Sequence, residues 1–325
     1  MAAVIVWGIL VSSIIAKANE PSTLKVDGRA REYRVYVPKA ASATNGYPVI
    51  LLLHGGGGNM DHVDEASDFR LWQKREKFLL VTPEGVGSDK LGQHMGTWNA
   101  GCCCGVAMKD KIDDVKFISM LIDQLGRDYK IDPKRIYATG ISNGGMMAYR
   151  LACELSEKIA AIAPVAAAPM ISPCLPKRKV PVLHLHGKKD PCVPYGGGEG
   201  GGCWERFLAK VSGIHLPETH WPSPSVEKTV DDWRVLNQLS ESAQVTFEKG
   251  DAKCTTYGGE NNVATVTLCT SESNGHAWPG GGHGPICRIP FARRCKVYRE
   301  IVGAADPSLP ATRLVVEFFK KHSLP

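Results

Sequence analysis

Gly140-Ile141-Ser142-Asn143-Gly144 is the stretch whose reading decides the fold. It fits G-x-S-x-G, in which a serine sits on a sharp, strained turn from a strand into a helix. Glycines two before and two after the serine let neighbouring backbone pass where a Cβ would clash. The flanks fit this turn. Arg135-Ile136-Tyr137-Ala138-Thr139 reads as a short buried strand, and Met146 to Ala152 as a helix. Five letters recur by chance in a chain with 34 glycines, so the strand before and the helix after give the pattern its weight.

Moving outward, Pro48-Val49-Ile50-Leu51-Leu52-Leu53 is continuously apolar, as a strand covered on both faces should be, and it runs into His54-Gly55-Gly56-Gly57-Gly58. Phe78 to Val81 reads as another core strand and Asp113 to Gln124 as a helix. After the serine helix, Ile159 to Ala163 and Val180 to His186 are further strands. Thr23 to Val26 and Glu32 to Val37 alternate in period two around Asp27-Gly28, an opening hairpin. Val226, Val230 and Trp233 share a helical face with Pro224 in its early turn, and Val245 to Phe247 and Val263 to Leu268 are late strands. Pro310 opens a last helix carrying Leu314, Val315, Phe318 and Phe319. Strands alternating with helices at this spacing predict the α/β class, a mostly parallel central sheet with helices on both faces, and the G-x-S-x-G turn within it points to an α/β-hydrolase fold. No repeat or Ser/Pro-rich linker interrupts the chain, so residues 19–325 are expected to form one domain. Gly196 to Gly202 is the one low-complexity patch and reads as a mobile insertion beside the site.

The composition of these 325 residues is ordinary for a globular chain, 43% hydrophobic and 22% charged. A net charge of +6 with no dense basic run beyond Pro176-Lys177-Arg178-Lys179 argues against a nucleic-acid partner. Ala2 to Ile15 is almost wholly apolar and Ala16-Lys17-Ala18 is a cleavage site of the A-x-A kind, so residues 1–18 read as a secretory signal peptide. No other stretch is apolar for long enough to span a membrane once that signal is gone. Export suits eleven cysteines, because disulfides persist in oxidising compartments. Cys254 and Cys269 flank a hairpin around Gly258-Gly259 and are expected to be bonded. Cys192 and Cys203 bracket the glycine-rich loop, Cys287 and Cys295 a short one, and an odd count leaves a thiol over. No C-x-x-C or H-x-x-x-H pair is present, which argues against zinc.

A serine hydroxyl needs an adjacent base, itself oriented by a carboxylate. On this fold the partners follow in the order serine, acid, histidine. Asp190 lies just past the Val180 strand, where a loop acid can reach the serine turn. His276 follows the last predicted strand in Asn274-Gly275-His276-Ala277-Trp278-Pro279; His283, between glycines at 280–284, sits in too flexible a setting to hold an imidazole in register. His54, His184 and His186 come too early and read as structural histidines. A tetrahedral intermediate needs two backbone donors, for which the N–H groups of Asn143 and Gly56 are the candidates, with Gly57 next.

The chain resembles the secreted esterase family of polyhydroxybutyrate depolymerases and feruloyl esterases. The matching stretches include Tyr33-Arg34-Val35-Tyr36-Val37-Pro38, Trp98-Asn99-Ala100-Gly101, Ser142-Asn143-Gly144-Gly145-Met146-Met147, His186-Gly187 with Asp190, Val193-Pro194-Tyr195 and His276-Ala277-Trp278-Pro279-Gly280. The resemblance runs from about residue 22 to the C-terminus and implies a Ser142, Asp190, His276 triad acting on esters without metal or organic cofactor. A third consecutive cysteine, Cys102, and a longer segment from Gly196 to Ser223 depart from the family pattern, which bears on substrate rather than chemistry. Trp98 and Trp278 are candidate walls for an aromatic or sugar-linked acyl group. Hydroxycinnamoyl esters of cell-wall sugars lead the expected substrates, ahead of hydroxybutyrate oligomers. An acyltransferase and a catalytically inactive secreted binding protein on the same fold are the rivals.

Overall fold

The computed structural model describes residues 19–39, 45–88, 92–215, 217–258 and 264–325. The signal-peptide reading of residues 1–18 and position 259 of the expected hairpin turn lie outside them. Among the described residues fourteen strands follow in chain order: β1 (Pro21–Val26), β2 (Arg29–Tyr36), β3 (Tyr47–Leu53), β4 (Leu79–Pro83), β5 (Val86–Ser88), β6 (Gly92–Thr97) and β7 (Ile131–Ile141). They continue as β8 (Ala161–Val165), β9 (Val182–Gly187), β10 (Gly198–Gly201), β11 (His220–Ser223), β12 (Ala243–Lys249), β13 (Ala252–Tyr257) and β14 (Val266–Ser271). Ten of them form one sheet in the order β1-β2-β4-β3-β7-β8-β9-β14-β13-β12. The middle of the sheet, from β4 through β14, is parallel, and hairpins close both edges antiparallel.

The apolar run in β3 shows how the layers are set. Val49, Leu51 and Leu53 face a core shared with the helices Asp114–Asp128, Asn143–Glu154 and Val226–Leu236. Ile50 and Leu52 face the opposite core, made with Val63, Phe69 and the last helix, Ala311–Phe319. A strand covered on both faces must be apolar at every position, and all five of these residues are buried. The Asp113 side chain caps its helix by accepting from Lys116 N–H, and Ser225 caps the Val226 helix in the same way, which puts Pro224 before the helix rather than inside its first turn.

One expectation on the late half of the chain is corrected and another is met. The segment from Gly196 to Ser223 is built from paired strands β10 and β11 and the helix Cys203–Ser212, not as a structureless loop. A disulfide between Cys192 and Cys203 anchors it, and Trp221 lies so close that a side chain at Gly200 would meet its indole at 2.9 Å. Cys254 and Cys269 are bonded as expected, as cross-strand partners in the antiparallel pair β13 and β14. Cys153–Cys174, Cys287–Cys295 and Cys103–Cys104 are also paired; among the described residues Cys102 carries the thiol left over.

Candidate active site

β7 delivers Ser142 to the end of the sheet, and the helix Asn143–Glu154 starts directly behind it. Ser142 holds φ 56° and ψ −126°, a conformation L-residues avoid at a cost of about 1–3 kcal/mol. Its N–H donates to Val165 O (2.9 Å) and its carbonyl accepts from Met146 N–H (2.8 Å), so the sheet and the helix each hold one end of the strained turn. The flanking glycines are explained by close approach. A Cβ at Gly140 would lie 2.5 Å from Leu53 O, and one at Gly144 would overlap the same carbonyl. Only hydrogen fits there, because the helix starts against the end of β3.

The structure brings Asp190 and His276 together. Asp190 follows β9 and is buried; its Oδ1 accepts from the N–H groups of Cys192 and Val193, both at 2.8 Å. Its Oδ2 accepts from His276 Nδ1–H at 2.8 Å. Burial alone would raise this carboxyl, yet the neighbouring His276 and His186 outweigh it and hold Asp190 well below the usual carboxylate range. Spending Nδ1–H on the acid leaves Nε2 of His276 as an acceptor, the tautomer a general base requires. The loop under His276 is laced by Asn274, whose Nδ2 donates to Gly275 O (2.8 Å) and whose Oδ1 accepts from Asp306 N–H (2.7 Å).

His283 is held more firmly than its glycine neighbours suggest. Its Nε2–H donates to Gly303 O at 2.9 Å, and its ring meets Tyr298 edge-on. Two carbonyl and ring contacts thus replace the stiffness the glycines lack. That bond points the ring at backbone rather than at a carboxylate.

Asn143 opens its helix, so its N–H has no intrahelical acceptor. Its side chain is locked in both directions on Trp98, accepting from the N–H at 2.7 Å and donating to the carbonyl at 3.0 Å. Gly55 and Gly56 run alongside: a Cβ at Gly55 would lie 3.5 Å from Ser142 Cβ, and one at Gly56 3.7 Å from Asn143 Cβ. Gly57 N–H is already given to Gly96 O (2.9 Å), which removes it as a donor. Among the described residues Gly56 N–H has no such partner, which leaves it the candidate of the two. The peptide carrying it is set by His54, whose Nδ1–H donates to Gly55 O (2.8 Å) while Nε2 accepts from Gly85 N–H (2.8 Å). Burial drives the His54 pKa down to about 4, so the ring stays neutral in that role.

Ser142, His276 and Gly56 open into one cavity of about 130 Å³, bordered by Trp204, Trp278, Ile286 and Tyr298. Residues 40–201 match the family described as Phospholipase/Carboxylesterase. The putative esterase NocK of Nocardia uniformis subsp. tsuyamanensis is 28% identical over 302 residues, which are 90% of this chain and 80% of that protein. The chain is an esterase of the α/β-hydrolase superfamily. The probable feruloyl esterase C of Aspergillus niger is 31% identical over 174 residues, 52% of this esterase and 58% of that protein, in line with the resemblance carried by the motifs. In fold the esterase is similar to an acetyl xylan esterase from Aspergillus awamori, with a TM-score of 0.55 at 11% identity over 79% of this chain and 94% of that one.

The two tryptophans singled out from the sequence are core residues of the esterase. Trp98 is fully buried, donates its indole N–H to His54 O (3.0 Å) and does not border the cavity. Trp278 borders it from beneath: the ring is fully buried against Phe69 and its N–H donates to Thr312 Oγ1 (2.9 Å). A partly exposed aromatic face at the site is Trp204, half-buried on the helix of the 196–223 segment and so close to Gly57 that a Cβ there would lie 3.2 Å from the indole. Asn274, Tyr298 and the buried Arg31–Asp114 pair are supports that sequence reasoning did not single out. Asp114 Oδ1 accepts from Arg31 at 2.7 Å and Oδ2 from Asn99 N–H at 2.7 Å, pinning the loop that carries Trp98. The Asn-Gly pair ahead of His276 was the available signal for Asn274.

Proposed function

We propose that this esterase cleaves carboxylic esters in two steps through Ser142, His276 and Asp190. Ser142 Oγ attacks the ester carbonyl as His276 Nε2 takes its proton, and the N–H groups of Asn143 and Gly56 receive the oxyanion. The alcohol leaves with the proton from His276, and water repeats the sequence on the acyl-enzyme to free the acid. One observation carries the reading: the 2.8 Å bond from His276 Nδ1 to the buried Asp190, with His276 and Ser142 bordering one cavity. The chemistry calls for neither metal nor organic cofactor. Residues 19–325 are read as a single esterase domain, and five cysteine pairs support export to an oxidising compartment.

For substrate we favour soluble esters of flat acyl groups, with hydroxycinnamoyl esters of plant cell-wall sugars first. The exposed part of Trp204 offers a stacking face beside the oxyanion candidates. A cavity of about 130 Å³ is well under the ~300 Å³ at which drug-sized pockets begin, so it takes one acyl group and leaves the alcohol outside. That small volume also favours a second reading, short acyl esters such as acetate. Comparing kcat/KM for methyl ferulate, p-nitrophenyl acetate and a hydroxybutyrate oligomer decides between them. A preference for the oligomer, or clearing of a polyester film, overturns the substrate reading; product analysis with an added alcohol separates hydrolysis from acyl transfer. A serine-directed fluorophosphonate that fails to label Ser142 overturns the mechanism.

A further inference from the structure

Behind the acid of the proposed triad lies a chain of buried polar rings that the mechanism above does not use. His184 and His186 alternate on β9 and so project to the same side of the sheet, toward Tyr149 on the Asn143–Glu154 helix. Tyr149, His184 and His186 each have zero exposure. Tyr149 Oη lies 2.6 Å from His184 Nδ1, His184 Nε2 lies 3.0 Å from His186 Nδ1, and His186 Nε2 lies 2.8 Å from Val193 O. The same His186 Nε2 is 3.4 Å from Asp190 Oδ2, the oxygen that accepts from His276.

The protons on this chain can be assigned from one end. Val193 O only accepts, so His186 Nε2 carries the hydrogen and its Nδ1 is an acceptor. His184 Nε2 must then be the donor to it, which makes His184 Nδ1 the acceptor of the Tyr149 hydroxyl. Burial keeps His184 from charging and Tyr149 from ionising, so His184 carries a hydrogen on one nitrogen only and the Tyr149 hydroxyl keeps its own. Each donor therefore points toward Asp190, and a row of aligned hydrogen bonds polarises its members in the same sense.

We propose that Tyr149, His184 and His186 form a one-way hydrogen-bond chain that positions Asp190, with His186 as the positioning residue. His186 Nε2–H ties Val193 O, while Val193 N–H holds Asp190 Oδ1; this loop of contacts fixes the carboxylate plane. The same Nε2 lies 3.4 Å from Oδ2, a polar contact behind the oxygen offered to His276. A carboxylate free to turn about its Cβ–Cγ bond would no longer select the Nδ1–H tautomer of His276. The groups facing Asp190 are thus His276 and His186, with the N–H groups of Cys192 and Val193, while Tyr195 lies edge-on to His186. The proposal rests on the triad reading for its catalytic consequence but not for its proton assignment.

Two measurements test it. Nitrogen chemical shifts of the wild-type enzyme labelled with ¹⁵N-histidine, assigned with Tyr149→Phe and His186→Gln, should report neutral Nε2–H tautomers at both His184 and His186. An Nδ1–H tautomer or an imidazolium at either position overturns the chain. In steady-state kinetics His186→Leu should lower kcat on the order of 10- to 100-fold with KM within about twofold, because misplacement without lost binding acts on turnover. His186→Gln keeps a donor where Nε2 was and should recover most of that loss, which mere packing would not explain. A folded His186→Leu enzyme with wild-type kcat, or a Gln variant as impaired as Leu, refutes the positioning role. If Ser142→Ala instead retains activity, the triad reading falls, and the tautomer result still decides the chain.

Discussion

The disulfide between Cys192 and Cys203 ties two parts of the site together, and removing it makes a quantitative prediction. Cys192 follows the acid Asp190 by two positions and gives its N–H to that carboxylate; Cys203 opens the helix that carries Trp204. The half-cystines are 11 residues apart, and a loop of that size constrains the unfolded chain by about 3 kcal/mol at 25 °C on the chain-entropy estimate. The paired variant Cys192→Ala, Cys203→Ala avoids a stray thiol and should lose about that much stability, a large part of the ~5–15 kcal/mol typical of a domain. Urea denaturation followed by tryptophan fluorescence should show the midpoint falling by about 1 M. Activity should suffer less. The backbone donors on Asp190 Oδ1 remain, and Gly201 N–H still holds Cys192 O at 2.7 Å, so kcat for p-nitrophenyl acetate should fall by less than about tenfold. The Trp204 helix, freed at its start, should raise KM for methyl ferulate more than for the acetate. A stability loss under about 1 kcal/mol would mean that the segment is ordered without the bridge. A loss of activity on the order of 10³ would mean that the bridge, not the backbone, sets the acid.

Three further outcomes are expected. Ser142→Ala and His276→Ala should each lose on the order of 10⁵–10⁶ in turnover while staying folded, and His283→Ala should lose less than about tenfold; the reverse pattern for the two histidines would reassign the base. Glu84 is buried beside Met60 N–H (2.7 Å), with its other oxygen unpartnered among the described residues, and burial pushes its pKa up to about 8. The folded state thus keeps a proton that the unfolded chain loses near 4.5, so stability falls as pH rises from that value toward 8, by up to ~1.4 kcal/mol per unit. Glu84→Gln should remove the slope, and parallel denaturation curves for the two proteins across pH 5–8 would refute it. Trp204→Ala should cost methyl ferulate about 1 kcal/mol or more in kcat/KM relative to p-nitrophenyl acetate, and equal losses on both esters would remove its stacking role.

How much of the fold was legible follows from where side chains report burial. The parallel centre was readable because strands such as β3 and β9 are apolar on both faces and are punctuated by glycine, and because Gly140 and Gly144 mark a contact no other residue permits. The edges read unevenly. The β1–β2 hairpin shows in its alternation, but β12 is exposed along nearly its whole length, so only Val245 to Phe247 marked it, and the start of β7 is hidden by Asp132-Pro133-Lys134-Arg135 after Ile131. The pairs β5–β6 and β10–β11 contain few side chains that could carry a pattern. The ordering of the 196–223 segment comes from a covalent bridge and from Trp221, neither of which local composition expresses.

At the site, chain order was enough to single out Asp190 and His276, which follow β9 and β14 and are hydrogen-bonded to each other at 2.8 Å. Exposure was not legible. Trp98 and Trp278 look like binding residues in sequence because tryptophan is common at interfaces, yet each has an internal acceptor for its N–H and packs as core. Flexibility was misjudged at His283 for a related reason: glycine frees a backbone only where nothing else holds it, and here Gly282 N–H donates to Ala66 O at 2.9 Å while the imidazole donates to Gly303 O. Rigidity in this region comes from hydrogen bonds between segments distant in sequence. The same holds for the chain behind Asp190. The alternation of His184 and His186 says they share a face, but their role depends on Tyr149, 35 residues before His184, and on the carbonyl of Val193 that fixes which nitrogen bears each proton.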